Sequence, residues 1–237
     1  MQESRPAQCA ETTCASRHLL NHVRNARISF VHTRFSLDRG AIPLRGLHTA
    51  MNAAVVPPHD ANSNGPRLAS EGCTGTGYVH GAAVDAAVSV WARTGSLPSA
   101  DATDPCAATA VSVMTAAGWR PVAAQLRLYD EGTRVGTAVD VVVVTPAGET
   151  LFVELKTTMY PTDFFSERGT FRNLTLPYSF AGAAVLQALL PTVWVHRLYG
   201  LPRPRAVVLV VGPGGWARLL WPRPEFVSAA ERVAGLL

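Results

Sequence analysis

Asp140, thirteen intervening residues, and then the tripeptide Glu154-Leu155-Lys156 are the side chains in this 237-residue chain whose types and spacing could do chemistry. In an extended strand alternate side chains share a face, so Glu154 and Lys156 project together while Leu155 turns to the core. A neighbouring strand carrying Asp140 brings it near Glu154. Two carboxylates and a backbone carbonyl, that of Leu155, make an oxygen cage of the kind Mg²⁺ takes, with Mn²⁺ as a substitute. Two negative charges in a largely apolar sheet are costly unless a cation offsets them, so the pair predicts a metal. Phosphodiester hydrolysis uses such a set: the metal polarises the phosphate and lowers the pKa of a bound water, and the ammonium orients that water. The alternative is a buried ion pair between Glu154 and Lys156 at a sheet edge.

Lys156 is the one lysine among 21 basic residues. Arginine is a permanently charged fork, whereas lysine is a compact point donor, so a chemical role could demand lysine where charge alone would not. A GC-rich genome accounts for the same bias without function.

The elements that must hold these residues are legible from Gly75 onward. Tyr78 to Arg93 predicts a mostly buried helix. A second helix, Cys106 to Ala117, has Asp104 at its N-cap and Pro105 at its first position, where the missing N–H costs nothing. Strands follow at Val122 to Tyr129, Gly136 to Val144 and Thr150 to Lys156, with turns between them short enough for a meander. Val139 to Val144 is apolar on both faces except at Asp140, which marks a central strand covered on both sides. Tyr178 to Tyr199 predicts a helix that Pro191 should kink or split. Ala206 to Gly212 and Trp216 to Trp221 read as strands, ahead of a terminal helix from Glu225. The order gives an α/β sandwich around a mixed sheet.

Residues 1–65 read as a basic extension, with a linker at Asn62-Ser63-Asn64-Gly65-Pro66, and 66–237 as the folded domain. Seven arginines stand against Glu3, Glu11 and Asp38 in the first fifty residues, while the remainder balances fourteen basic and fourteen acidic side chains. The extension could be a solvated tail, a nucleic-acid-binding arm or an organellar targeting segment. Four scattered cysteines with no C-x-x-C pair and no apolar leader point to an intracellular, reducing compartment. No apolar run is long enough for a membrane span. Apart from His80, the histidines, His48 among them, show no metal-ligand spacing.

The run Gly136-Thr137-Ala138-Val139-Asp140 is similar to the G-x-x-D strand, and Phe152-Val153-Glu154-Leu155-Lys156-Thr157 to the E-x-K-T strand, of the PD-(D/E)XK nuclease superfamily, in its RecB-type and phage lambda-type exonuclease branch. Thr76-Gly77-Tyr78-Val79-His80 resembles the helix-opening segment that brings a histidine to the metal in RecB-type members. The resemblance covers about Gly75 to Gly212 and implies a restriction-endonuclease-like three-layer sandwich, a central mixed β-sheet flanked by helices. It implies that Asp140, Glu154, the Leu155 carbonyl and His80 bind Mg²⁺, that Lys156 positions the water, and that Gln187 supports the lysine or a phosphate. The substrate implied is DNA, the activity that of an exonuclease in DNA processing, recombination or repair. A homo-oligomer and a recombination or replication partner are compatible with it. Two departures stand out: the acid expected four residues after His80 is one residue late, at Asp85, and Pro191 replaces the tyrosine expected four after Gln187. With no cysteine beyond Cys106, the iron-sulfur subgroup is excluded. An endonuclease, or an inactive nuclease fold kept for DNA binding or structure, are the alternatives.

Overall fold

The structure is a computed structural model that describes residues 28–31, 34–37, 42–57, 76–98 and 104–237. Its elements in chain order are β1 (Ile28–Val31), β2 (Arg34–Leu37), β3 (Ile42–Gly46), α1 (Leu47–Val55), α2 (Thr76–Thr94), α3 (Pro105–Ala116), β4 (Arg120–Asp130), β5 (Val135–Val144), β6 (Thr150–Thr157), α4 (Pro161–Phe165), α5 (Phe180–Tyr199), β7 (Arg205–Gly212), β8 (Trp216–Leu220) and α6 (Pro224–Ala234). The eight strands form one mixed sheet. β4, β5 and β6 are a meander of antiparallel neighbours, β7 returns parallel to β6, and β8 pairs antiparallel with β7.

Two apolar layers sandwich this sheet. On one face Val141, Val143, Leu151, Val153, Val207, Leu209 and Val211 meet α2 and α3 through Val84, Val88, Trp91, Ala107 and Met114. On the other, Val142, Phe152, Val208 and Val210 meet α1, α5 and α6 through Met51, Leu186, Leu190, Trp194 and Phe226. The alternation along β6 and β7 is that of strands covered on both faces. The fold is therefore α/β, a mixed sheet flanked by helices.

Residues 42–57 correct the expected boundary at residue 65. β3 joins β5 in parallel, Arg45 opposite Val135 and Gly46 opposite Gly136. α1 then seats Leu47, Ala50, Met51 and Val55, each no more than 2% exposed, in the same core as α5. That spacing is the stripe of an amphipathic helix. The segment after α4 clasps the end of α1: Arg172 donates its backbone N–H to Val55 (2.7 Å) and its guanidinium to the Ala53 carbonyl, and Asn173 Nδ2 donates to Ala54 (3.1 Å). A stripe carried by a nine-residue helix is a short signal on its own, and the strand contact that recruits β3 is 90 residues away in sequence, from Gly46 to Gly136. The linker expected at 62–66 lies outside the described residues.

α5 also differs from expectation, because it runs unbroken through Pro191. The proline has no N–H for the Gln187 carbonyl. One residue later the Thr192 hydroxyl donates back to Leu189 (2.7 Å), and Gly200, at φ 63°, ends the helix in the left-handed conformation.

Candidate functional site

β4 pairs along the whole of one edge of β5, so β3 and β6 share the other edge, β3 at Val135 and Gly136 and β6 from Val141 to Val144. Between them the sheet forks. The β5–β6 register ends at Val141 opposite Val153, which leaves Asp140 and Glu154 at the mouth of the fork. Leu155 has lost its strand partner there, and its backbone N–H donates to Asp140 Oδ2 (2.8 Å). In an extended strand a residue's N–H and C=O lie on the same edge, so the Leu155 carbonyl also opens into the fork.

Strict alternation in β5 fails at the same point. Val139 and Val142, three positions apart, both belong to the α5-side core. Across the pair, Gln125 takes a left-handed φ of 52°, and Leu126 and Ala123 likewise lie on one side. A left-handed residue other than glycine is strained unless its surroundings hold it. Here the Gln125 amide donates to both oxygens of Asp85 (3.0 and 2.9 Å) and reaches Asp140 Oδ1 at 3.4 Å.

The site thus draws on both faces of the sheet. From the α5 face, Lys156 Nζ donates to Glu154 Oε1 (2.6 Å) and to Gln187 Oε1 (3.2 Å). From the α2 face comes Asp85. Glu154 is only 5% exposed. Burial, followed by the charges of Glu154 and Asp85, pushes the Asp140 carboxyl well above the usual range. Burial and the Glu154 charge push Asp85 up to about 6. The Lys156 ammonium is held above its ordinary value: burial opposes the charge, but Glu154, Asp140 and Asp85 outweigh it. Among the described residues, one cation, Lys156, serves three carboxylates, which leaves the cluster short of positive charge.

His80, expected as a metal ligand, is held elsewhere. Its Nδ1 lies 3.1 Å from Asp104 Oδ2, at the start of α3. Gly81, not His80, is the α2 residue one turn before Asp85 on the face toward β6, where a Cβ would meet the Thr157 hydroxyl at 3.3 Å. At about 100° per residue, His80 stands well round the helix from Asp85. Asp85, one residue late for the motif, is the carboxylate on α2 that reaches the site among the described residues.

A residue without any sequence signal also faces the site. His48, second residue of α1, keeps access to solvent where β3 brings the chain against the fork, and partial enclosure by the surrounding protein, followed by the Lys156 charge, lowers its pKa. Its ring nitrogens each stand 3.5 Å from Asn52 Nδ2. Only the β3–β5 contact, invisible in the linear order, could have revealed it.

The phenylalanine and arginine side chains of the segment after β6 are engaged within the fold. Phe171 is 2% exposed and packs edge-on to Tyr178 and Phe226. Phe164 and Phe165 pack on each other, and Arg168 stacks over Phe180 at 4.4 Å. Met159 and Tyr160, three and four residues beyond Lys156, are instead 56% and 43% exposed.

The site is thus a strand-fork cluster of carboxylates, lysine and glutamine on an α/β sandwich. No family model matches the chain, nor does any of the curated proteins it was compared with. Among the described residues, no helix is long and apolar enough to cross a membrane.

Proposed function

We propose that the protein is a Mg²⁺-dependent nuclease that hydrolyses phosphodiester bonds in DNA, an exonuclease built on a restriction-endonuclease-like sandwich. The observation that carries this reading is the meeting of Asp140, Glu154 and the chain's one lysine at a single fork in the sheet. The donors there suit a hard cation: two carboxylates, the Leu155 carbonyl beside them, and a third carboxylate, Asp85, behind Gln125. The shortage of positive charge gives a divalent ion its driving force.

Asp140, Glu154 and the Leu155 carbonyl would hold the ion, with Asp85 completing its charge. When bound, Mg²⁺ supplies Lewis acidity toward the phosphate and lowers the pKa of its water. Lys156, clamped by Glu154 and Gln187, presents its remaining N–H to orient the attacking water and offset charge on the phosphate. Gln125 keeps Asp85 and Asp140 in register. Met159 and Tyr160 offer exposed apolar and aromatic surface beside the site, on which an unpaired base can stack.

The test is degradation of end-labelled linear DNA beside a closed circle, in Mg²⁺ or EDTA, by wild type and Lys156→Ala. Mg²⁺-dependent loss of the linear DNA alone, abolished by the substitution, supports the proposal. Cleavage of the circle would make the protein an endonuclease. No cleavage of either substrate across metals, with DNA retained without Mg²⁺, would make it a binding module.

A further inference from the structure

The contact that withdraws His80 from the fork builds a second cluster. Asp104 caps α3, accepting the Cys106 backbone N–H at Oδ1 (2.8 Å), and its other oxygen meets His80 Nδ1 at 3.1 Å. The Cys106 residue is 3% exposed, and its thiol lies beside the Asp104 carboxylate. One imidazole nitrogen, one carboxylate oxygen and one sulfur therefore lie within 4.8 Å of one another, drawn from two helices. An N-cap requires the carboxylate alone; it does not require the imidazole or the thiol.

We propose that His80, Asp104 and Cys106 are a zinc site that clips α2 to α3. Mixed nitrogen, oxygen and sulfur donors select Zn²⁺ over the hard cations that suit the fork. Three protein ligands leave a fourth tetrahedral position, and the His80 side chain, 32% exposed, leaves room for water to take it. Cys106 is the second residue of α3, and burial, followed by the Asp104 carboxylate beside it, pushes its pKa up, so the metal-free cluster holds a thiol. Binding exchanges the thiol proton for the metal: the S–H bond breaks, the S–Zn bond forms and one proton leaves to solvent. Asp104 and the Cys106 thiolate then balance the two positive charges. The clip lies five residues from Asp85 on α2, so it would fix the helix that brings this carboxylate to the fork. The inference stands independently of the nuclease reading.

The experiment strips the full-length protein with a chelator and titrates it with Zn²⁺ against a chromophoric competitor, then with Co²⁺. Expected are one zinc per chain, one proton released, and a thiolate-to-cobalt charge-transfer band. Cys106→Ser should lose that band and weaken zinc binding by at least about 100-fold. His80→Gln, at a partly exposed position, should weaken it without unfolding the chain, and so decides the matter if Cys106→Ser fails to fold. Absence of the cobalt band in wild type, or zinc held equally by wild type and His80→Gln, would overturn the site.

Discussion

Asp140 Oδ2 accepts the Leu155 N–H where a continued β5–β6 register would have put Val139 opposite Leu155. The carboxylate fills a vacant place in the ladder while it crowds Glu154 and Asp85. These roles separate chemically. Asp140→Asn keeps an oxygen acceptor for Leu155 and removes a charge, so without divalent metal it should raise the melting temperature by roughly 2–4 °C, as about 1 kcal/mol does in a chain of this size, while activity is lost. Asp140→Ala loses the acceptor too and should melt below Asp140→Asn. Thermal unfolding in EDTA checks the order; Asn melting no higher than wild type would mean that charge crowding is not the dominant strain.

Asp85 gives the metal-free protein a pH signature. Its carboxyl is raised from an ordinary 3.8 to about 6, so within that window the folded protein holds a proton that the unfolded chain has released. Stability from this group is therefore full at lower pH and falls as pH rises through the window. Asp140 acts in the same direction. The difference in urea unfolding free energy between wild type and Asp85→Asn, followed in EDTA, should grow in favour of the variant as pH rises. A flat difference would contradict the burial assigned to Asp85.

His48 should matter to substrate more than to folding. Partial enclosure and the Lys156 charge lower its pKa, which favours the neutral ring, a hydrogen-bonding group. His48→Ala should raise KM for DNA about tenfold, equivalent to about 1.4 kcal/mol, with a smaller change in kcat. Steady-state kinetics on a linear substrate reads the split. An unchanged KM would exclude substrate contact.

Residues 42–57 belong to the folded core, and truncation shows it. A chain beginning at residue 66 lacks Leu47, Met51, Val55 and Val56 and should fail to give a cooperative melt. In the full chain Met51→Ala, at 0% exposed, should cost about 2–5 kcal/mol by urea unfolding. A truncated chain that melts as wild type would return these residues to the status of an extension.

The strands from β4 to β7 and the helices α2, α3, α5 and α6 were legible because each has its own period or cap: Asp104-Pro105 opens α3 as such a pair should. So was the side shared by Glu154 and Lys156, which strand alternation places together, whereas Gln187 was expected beside the lysine through the family resemblance alone. The parts that were not legible depend on contacts distant in sequence. His80 fits a motif, but its orientation is set by Asp104 on another helix. Asp85 is one residue late for that motif and is brought in by Gln125, whose left-handed backbone nothing local announces. α1 and His48 depend on a two-residue parallel contact with β5.

That parallel contact also sets an order of assembly. β3 leaves the ribosome 90 residues ahead of the strand it bonds, from Gly46 to Gly136, which at roughly 5–20 residues per second is a wait of roughly 5 to 20 s. Closing so long a loop gains nothing until the β5 edge exists, so the meander should form first and the His48 wall should dock onto it afterwards. During synthesis, Leu47, Met51 and Val55 are exposed apolar surface for that interval, and the last piece of the fork to close is among the first to be made.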